Sequence, residues 1–268
     1  MKTTLQSKKL FAFDMDGTIY LGGKVFPFAV TFINRLRENG YRVLFFTNNA
    51  SHHPDFYYDK LTSMGFSPKR EEILTAGDVT IAFLKRHRAG KPCYLVGTPE
   101  LTEQFEKEGV SLCEDAPIVV TSFDTTLTYE KLDTACRLIR NGAEYLSTHP
   151  DFNCPTEDGF IPDSGAIAAF VTASTGVTPT YFGKPYRTAV EMMCEITGVA
   201  LSDICIFGDR LYTDIALGRR NGVTAVLVLT GETTREDVEK AEPADRPDFT
   251  VSSLEEVDRV LFSGTAGC

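Results

Sequence analysis

The chain has 268 residues, which is long enough for a substantial hydrophobic core and predicts about two domains. Its composition, 43% hydrophobic and 24% charged, is typical of a folded protein in water. The formal net charge of −10 at pH 7 argues against a nucleic acid or an anionic membrane as the main partner.

The cysteines and the apolar segments indicate where the protein is found. The seven cysteines are scattered, odd in number and without a Cys-x-x-Cys pair, which favours buried free thiols over disulfides or a zinc site. The apolar stretch near the N-terminus is too short for a signal peptide, and no segment approaches about 18 apolar residues. We therefore expect a cytoplasmic protein.

The first predicted strand, Leu10–Phe13, ends directly in two aspartates, Asp14 and Asp16. An apolar run without charges is typical of a buried parallel strand. Two carboxylates at the end of such a strand are unfavourable unless a cation lies between them, and ligands of open α/β sheets bind at that end. For this short motif alone, an ordinary turn after a strand is the alternative interpretation.

Helices and strands alternate after this first strand. The predicted elements are a helix at Phe28–Asn39, a strand at Tyr41–Phe46, a helix at Pro54–Met64, a strand at Ile73–Thr75 and a helix at Val79–His87 with Asp78 as its N-cap. This order predicts a parallel sheet with helices on its faces.

Residues 81–179 are predicted to form a separate α/β domain inserted into the first one. Its predicted strands are Tyr94–Val96, Ile118–Thr121 and Glu144–Ser147, and its predicted helices follow Thr98 and Thr128 and span Ala166–Ser174. The stretch from Thr148 to Gly165 is rich in Pro, Asp and Gly, and so long an irregular segment is usually functional or a hairpin.

The chain then returns to the first pattern. After Lys184 we predict a helix at Tyr186–Thr197, a strand at Ile204–Phe207, a helix at Thr213–Arg220, a strand at Ala225–Leu229, a short helix opened by Thr233 or Thr234, and a last helix at Leu254–Phe262. The predicted core is thus discontinuous, residues 1–80 and 180–268, and is a doubly wound, Rossmann-like parallel sheet.

Four polar clusters follow strands or begin helices in this pattern: Asp14 with Asp16, Thr47 with Asn48, Lys184, and Asp209 with Asp214. The strand ends of a parallel sheet share one edge, so residues distant in sequence can converge there. Carboxylates can hold a hard divalent cation, and a hydroxyl, an amide and an ammonium group can donate to phosphoryl oxygens. Together these groups indicate phosphoryl transfer.

Each cluster also has a purely structural alternative. Thr47 and Asn48 could cap the following helix, Lys184 could be a solvated lysine in a turn, and Asp214 could be an acidic residue at the start of a helix, where the helix dipole favours it.

The four clusters resemble, in order, the four motifs of the haloacid dehalogenase superfamily of phosphatases. The matching strings are Asp-Met-Asp-Gly-Thr, Phe-Phe-Thr-Asn-Asn, the lysine of Gly-Lys-Pro, and Gly-Asp-Arg-Leu-Tyr-Thr-Asp. The domain inserted between the second and third motifs resembles that of the class II capped branch, which contains NagD-like and 4-nitrophenylphosphatase-like enzymes. The inserted residues 81–179 are therefore called the cap domain.

The resemblance implies a role for each cluster. Asp14 is expected to be the nucleophile that forms an aspartyl-phosphate, and Asp16 the general acid and base. Mg²⁺ is expected to bind Asp14, the main-chain carbonyl of Asp16, and Asp209, which Asp214 orients. The residues expected to bind phosphate oxygens are Thr47, Asn48, Asn49 and Lys184.

The resemblance also implies that the cap domain closes over the site and contacts the substrate. In the segment Thr148-His149-Pro150-Asp151, His149 replaces an amide or an acid of the family, and Asp163 stands where many relatives have a small residue. Contact of His149 or Asp151 with the leaving group is a hypothesis, and stabilisation of the loop is the alternative.

The cap domain has 8 Lys and Arg against 14 Asp and Glu, so it is not a basic lid for large polyanions.

The predicted function is Mg²⁺-dependent hydrolysis of a small phosphate monoester: a sugar phosphate, a phosphoglycolate-like acid, a nucleotide or pyridoxal phosphate. One alternative is a phosphotransferase or phosphomutase on the same fold. Another is a signalling receiver with a phosphorylated aspartate, against which Asp16 argues because a long-lived acyl phosphate should lack a general base. No nucleic acid or membrane partner is expected, and the family implies a possible homodimer through the cap domain.

Overall fold

The computed structural model describes residues 1–156 and 159–262. The helices are α1 (Lys2–Gln6), α2 (Ala29–Glu38), α3 (Pro54–Ser63), α4 (Ala76–His87), α5 (Pro99–Lys107), α6 (Tyr129–Arg140), α7 (Ser164–Thr175), α8 (Arg187–Thr197), α9 (Ala216–Asn221), α10 (Arg235–Lys240) and α11 (Leu254–Phe262). The strands are β1 (Leu10–Phe13), β2 (Tyr20–Leu21), β3 (Lys24–Val25), β4 (Arg42–Thr47), β5 (Ile73–Thr75), β6 (Tyr94–Val96), β7 (Ile118–Thr121), β8 (Glu144–Ser147), β9 (Asn153–Thr156), β10 (Gly159–Pro162), β11 (Thr180–Tyr181), β12 (Ile204–Gly208), β13 (Thr224–Val228) and β14 (Phe249–Val251). Among the helices so described, none has the length and apolar character needed to span a bilayer.

The chain divides into two compact units. The first comprises Met1–Phe46, Tyr58–Leu74 and Met193–Cys268, and the second Thr47–Tyr57 and Thr75–Met192. The second unit therefore includes the last residue of β4 and those that follow it, as well as the whole range 81–179 of the predicted insertion. The bounds 81–179 for the cap domain stay a prediction.

The first unit is built on a parallel sheet, as predicted. In the described residues its strand order is β14-β13-β12-β1-β4-β5, so β1 and β12 lie in the middle. β1 pairs in parallel with both β12 and β4, with Phe13 opposite Phe207 and Phe45. Because both faces of the central strands are covered, all four residues of β1 are buried. The rings of Phe13 and Phe207 stack at a centroid distance of 4.8 Å. The α/β fold class is confirmed.

The second unit has a parallel sheet of its own. The described strands run in the order β11-β8-β7-β6, and α6 and α7 pack on this sheet through a buried apolar cluster that includes Val119, Ile139 and Val171. β9 and β10 form a separate antiparallel hairpin, in the irregular stretch for which a hairpin was one of the two interpretations.

Several helix starts match the sequence and one does not. Thr98 and Thr128 are N-caps as predicted, each accepting a backbone N–H of the first turn. Asp78 was wrongly predicted as an N-cap: the helix begins at Ala76, Thr75 is the N-cap, and Asp78 accepts the backbone N–H of Thr75 in a reciprocal capping box. The sequence alone does not show which of Thr75 and Asp78 is the N-cap, because both residue types are favourable there and both take part in the capping box.

Other differences concern short elements. The helix predicted over Thr213–Arg220 is a π-helical turn at Leu211–Ile215 followed by α9. The short elements α1, β11 and β14 have no clear apolar periodicity and were not predicted. The six described cysteines are thiols outside any disulfide; Cys93, Cys136 and Cys205 are buried as predicted, whereas Cys113 is exposed. Cys268 lies outside the described residues.

Candidate active site

Asp14 is the first residue after β1, at the carboxyl end of a central strand of the first unit. Its backbone N–H donates to the carbonyl of Phe207 in the adjacent β12 at 2.8 Å, so the two strands remain paired up to this residue. Asp16 is exposed and bridges to Tyr20. Gly17 has φ +89°, a conformation that residues with a side chain rarely adopt, and this turns the chain sharply after the second aspartate.

Asp209 and Asp214 follow β12 and are both buried. The neighbouring positions of β1 and β12 bring them to Asp14: each of the three residues offers a carboxylate oxygen, and these oxygens lie within 4.8 Å of one another. The π-helical turn contributes to this placement, because it returns the carboxylate of Asp214 to within 3.4 Å of the backbone N–H of Arg210. Three of the predicted acids thus form one carboxylate group, here called the acid cluster.

Glycines surround the acid cluster. A Cβ on Gly231 would lie 2.0 Å from Oδ2 of Asp209, and one on Gly17 would lie 2.4 Å from the same atom. A Cβ on Gly208 would lie 2.2 Å from Cγ of Asp214. Since real Cβ atoms do not approach so closely, side chains at these three positions would displace the carboxylates.

The acid cluster fits a divalent metal ion. Hard cations such as Mg²⁺ take oxygen ligands, often from one or two carboxylates together with substrate and water oxygens. Carboxylates this close together repel unless a cation neutralises them. The donor set of Asp14, Asp209 and Asp214, held by glycines that leave no room for larger residues, matches that requirement.

Arg210 is a residue of this site that is not among the site residues predicted from the sequence. Burial opposes its charge, but Asp14, Asp209 and Asp214 outweigh that effect and raise its pKa above the usual value. Its Nε lies 3.1 Å from Oε2 of Glu232. Arg210 therefore adds positive charge beside the acid cluster. Its place directly after Asp209 was the signal that could have identified it.

In the second unit, Asn48 and Lys184 are joined by reciprocal hydrogen bonds. The backbone N–H of Lys184 donates to Asn48 Oδ1 at 2.7 Å, and Asn48 Nδ2 donates to the Lys184 carbonyl at 3.0 Å. Both residues are buried. Gly183 permits this contact, since a Cβ there would lie 2.8 Å from Asn48 Oδ1. The structure thus brings together two of the predicted phosphate-binding residues, 136 positions apart.

Thr47 and Asn49 take part in the turn after β4. Thr47 Oγ1 accepts the backbone N–H of Asn49 at 3.2 Å, and Asn49 Oδ1 accepts both the backbone N–H and the hydroxyl of Ser51. These are local turn contacts of the capping type considered from the sequence. Thr47 is the last residue of β4, and Asn48 follows it directly.

The segment after β8 places three further predicted or flagged residues together, also in the second unit. His149, Asp151 and Asp163 each offer one ligand-type atom within 4.8 Å of the others. His149 is fully buried, with Nε2 2.8 Å from Asp163 Oδ1 and Nδ1 2.9 Å from Thr148 Oγ1. Asp151 is partly exposed, and its Oδ2 accepts Asn48 Nδ2 at 3.0 Å.

Comparison with known proteins agrees with this geometry. A model of haloacid dehalogenase-like hydrolases matches residues 11–111, and a second model of HAD-hydrolase-like proteins matches residues 181–257. The acid sugar phosphatase of Staphylococcus saprophyticus is 34% identical over 96% of this chain and 99% of its own. The 5′-nucleotidase YutF of Bacillus subtilis is 33% identical over 94% of this chain and 98% of its own.

Solved structures show the same similarity. A 4-nitrophenylphosphatase from Thermotoga maritima superimposes with a TM-score of 0.91 at 41% identity, covering 96% of this chain and 99% of its own. A p-nitrophenyl phosphatase from Archaeoglobus fulgidus gives a TM-score of 0.89 at 29% identity, covering 95% of this chain and 99% of its own.

The chain belongs to the haloacid dehalogenase-like hydrolases. The prediction of an enzyme is confirmed, and so is the resemblance to the NagD-like and 4-nitrophenylphosphatase-like branch, whose similar members are named as phosphatases or as a nucleotidase.

Proposed function

We propose that this hydrolase cleaves small phosphate monoesters through an aspartyl-phosphate intermediate, with Mg²⁺ as its metal. The observation that carries the proposal is the acid cluster, in which carboxylate oxygens of Asp14, Asp209 and Asp214 lie within 4.8 Å of one another at the end of the central strands. Its relatives named as sugar phosphatase, 5′-nucleotidase and nitrophenylphosphatase support the same substrate class.

Each residue has a proposed step. The Asp14 carboxylate attacks phosphorus as the bond from phosphorus to the ester oxygen breaks, and Asp16 gives its proton to the departing oxygen. Asp16 then takes a proton from water, whose oxygen attacks phosphorus, so that inorganic phosphate leaves and the Asp14 carboxylate is restored. Thr47, Asn48, Asn49 and Lys184 donate to the phosphoryl oxygens and offset their charge.

The metal would be held by Asp14, the main-chain carbonyl of Asp16, and Asp209, with Asp214 orienting the set. When bound, Mg²⁺ supplies positive charge for the phosphoryl oxygens and for the carboxylates crowded around them. Arg210 lies beside the same acids and adds a positive charge of the protein's own there.

The test is phosphate release from 4-nitrophenyl phosphate with Mg²⁺, with EDTA, and with variants. We expect activity that depends on Mg²⁺ and is lowered by about 10³-fold or more in Asp14→Asn, because the nucleophile is lost. The matched control is Asp59→Asn, which changes an exposed aspartate on α3 and should retain activity. Equal activity in Asp14→Asn and the control would refute the mechanism. Acid quenching followed by mass spectrometry should locate the phosphoryl group on Asp14.

The finer substrate and the location are part of the proposal. Sugar phosphates and nucleotides are the first compounds to screen, followed by phosphoglycolate-like acids and pyridoxal phosphate. A phosphomutase or phosphotransferase would instead yield a phosphorylated product, which product analysis identifies. The six cysteines of the described chain are thiols outside any disulfide, which suits a reducing compartment and supports a cytoplasmic enzyme. Dimerisation through the cap domain stays a prediction, which sedimentation analysis can test.

A further inference from the structure

The contacts of His149 determine its charge. The Thr148 hydroxyl donates its one proton to Ser122 Oγ at 2.9 Å, so Thr148 Oγ1 can only accept from His149 Nδ1, 2.9 Å away. The other ring nitrogen, Nε2, faces the carboxylate of Asp163 at 2.8 Å, which also requires a donor. The imidazolium form of His149, in which both ring nitrogens donate, satisfies these two contacts together, and the ring is fully buried against a carboxylate that is itself 4% exposed.

The acidic groups around His149 explain why it keeps this charge. Burial alone would lower the pKa of His149, but Asp163 and then Asp151 outweigh burial and raise that pKa. Burial, followed by Cys154 of β9 and Asp163, raises the pKa of Tyr57 of α3, and neither Tyr57 nor Cys154 can carry a positive charge. The imidazolium therefore lies between two carboxylates, which would repel each other without it.

The ion pair of His149 and Asp163 also holds the segment that carries Asp151. Asp163 Oδ1 accepts the backbone N–H of Ser164 at 2.6 Å as the N-cap of α7. One residue further on, the backbone N–H of Gly165 donates to the Asp151 carbonyl at 2.7 Å. The packing is tight, since a Cβ on Gly165 would lie 2.0 Å from the carbonyl oxygen of Pro150.

From Asp151 the contacts lead directly to the phosphate-binding candidates of the same unit. Asp151 Oδ2 accepts from Asn48 Nδ2, and Asn48 also bonds both backbone groups of Lys184. Gly183 lets His149 and Asn48 lie this close to the backbone, because a Cβ there would lie 2.5 Å from the Cβ of His149 and 2.8 Å from Asn48 Oδ1.

We propose that His149 and Asp163 are positioning residues: the buried ion pair holds Asp151 in place, Asp151 holds the side-chain amide of Asn48, and that amide holds the backbone of Lys184, a phosphate-binding candidate. This inference rests on the proposed phosphatase function. It gives His149 a role that does not require contact with the leaving group. Loss of the His149 proton leaves Asp151 and Asp163 facing each other without a cation between them, so Asn48 loses its fixed partner and activity falls at alkaline pH.

The first test compares the pH dependence of kcat and KM in the wild type, His149→Asn and Asp163→Asn. In the wild type we expect activity to decrease at alkaline pH, which forms the alkaline limb of the pH profile. His149→Asn should lack this limb, and its activity at neutral pH should be lower than that of the wild type by on the order of 10²-fold, as for a misplaced binding group. Asp163→Asn keeps an N-cap residue but removes the carboxylate, and its alkaline limb should move to lower pH. His87→Asn, an exposed histidine of α4, is the control and should match the wild type. A purely structural role would lower activity without moving the limb, and that result would overturn the proposal.

The second test measures the His149 ring by NMR and needs no substrate. Its titration should occur above the ordinary histidine value of about 6.5 in the wild type and shift to lower pH in Asp163→Asn. A His149 ring that is already neutral below about pH 6.5 would overturn the proposal even if the kinetics agreed. A wild-type protein that hydrolyses no phosphate monoester at any pH would instead refute the proposed function, and the NMR titration would still decide whether the buried pair exists.

Discussion

The backbone N–H of Glu232 donates to Oδ2 of Asp209 at 2.8 Å. The same loop donates twice more around the site: the backbone N–H of Thr233 bonds the Asp209 carbonyl at 3.2 Å, and the Thr230 hydroxyl bonds the Gly17 carbonyl at 2.7 Å. The loop after β13 therefore orients a candidate metal ligand that precedes it by 23 residues. Backbone donors to a carboxylate stabilise its charged form, which is the form that binds a cation.

Gly231→Ala tests this loop. The added methyl group would meet the Asp209 carboxylate at 2.0 Å, so the carboxylate must turn away and the bond from Glu232 is lost. We expect Mg²⁺ affinity, measured by calorimetry, to fall by about 10- to 100-fold, as it does when supporting contacts of metal ligands are removed. Gly23→Ala is the matched control because nothing lies within 4 Å of a Cβ there. Unchanged affinity in Gly231→Ala would show that the loop does not orient Asp209.

Arg210→Met tests the counter-charge beside the acid cluster. Removing the guanidinium takes one positive charge away from Asp14, Asp209 and Asp214, so the metal-free protein should lose on the order of 1–2 kcal/mol of unfolding free energy. Added Mg²⁺ should recover more stability in this variant than in the wild type, as read from thermal midpoints.

The control for that experiment is Arg220→Met, which breaks an exposed ion pair with Asp245 and should change stability by less than about 1 kcal/mol. If the metal-free forms of Arg210→Met and Arg220→Met were equally stable, Arg210 would not be neutralising the acid cluster.

Asn48→Ala removes the link between Lys184 and Asp151. The backbone N–H of Lys184 loses its acceptor inside the protein, which should lower the free energy of unfolding by about 1–3 kcal/mol. If Asn48 binds the phosphoryl group, KM should rise and kcat fall, whereas Asn141→Ala, at an exposed helix end, should change neither. A variant that loses stability but keeps wild-type kinetics would limit Asn48 to a structural role.

The charge on His149 also predicts how stability depends on pH. The pKa of His149 is raised in the folded state, so its stabilising contribution is fully present below the unfolded pKa of about 6.5 and is lost as the pH rises through the folded pKa. The difference in thermal midpoint between the wild type and His149→Asn should therefore be largest near pH 6 and shrink at alkaline pH. A difference that grows with pH would contradict the assigned sign.

The residues that could be predicted from the sequence share one property: their neighbours along the chain identify them. Asp14 follows an uncharged apolar run, and Asp209 follows another, so the chain itself indicates that both lie at strand ends. Parallel pairing of β1 with β12 then brings them together. The fold class followed from the same alternation of apolar runs and capped helices.

The contacts that could not be predicted lack such a signal. Glu232 acts through its backbone, which any residue possesses, and Arg210 gains its importance only from three acids that fold around it. Asp163 serves both as the N-cap of α7 and as the partner of His149, and only the first role can be inferred from the adjacent helix. The pairing with His149 spans 14 residues and a hairpin, so it depends on the tertiary fold.

The position of β1 and β12 in the middle of the sheet has a consequence for heat inactivation. Fraying of a sheet begins at its borders, here β14 and β5, and its inner strands separate only when the whole unit melts. Amide protons in the two inner strands should thus be the slowest to exchange with deuterium. Loss of turnover on warming should follow complete melting of the first unit, so an activity assay would not register the earlier loosening of the border strands.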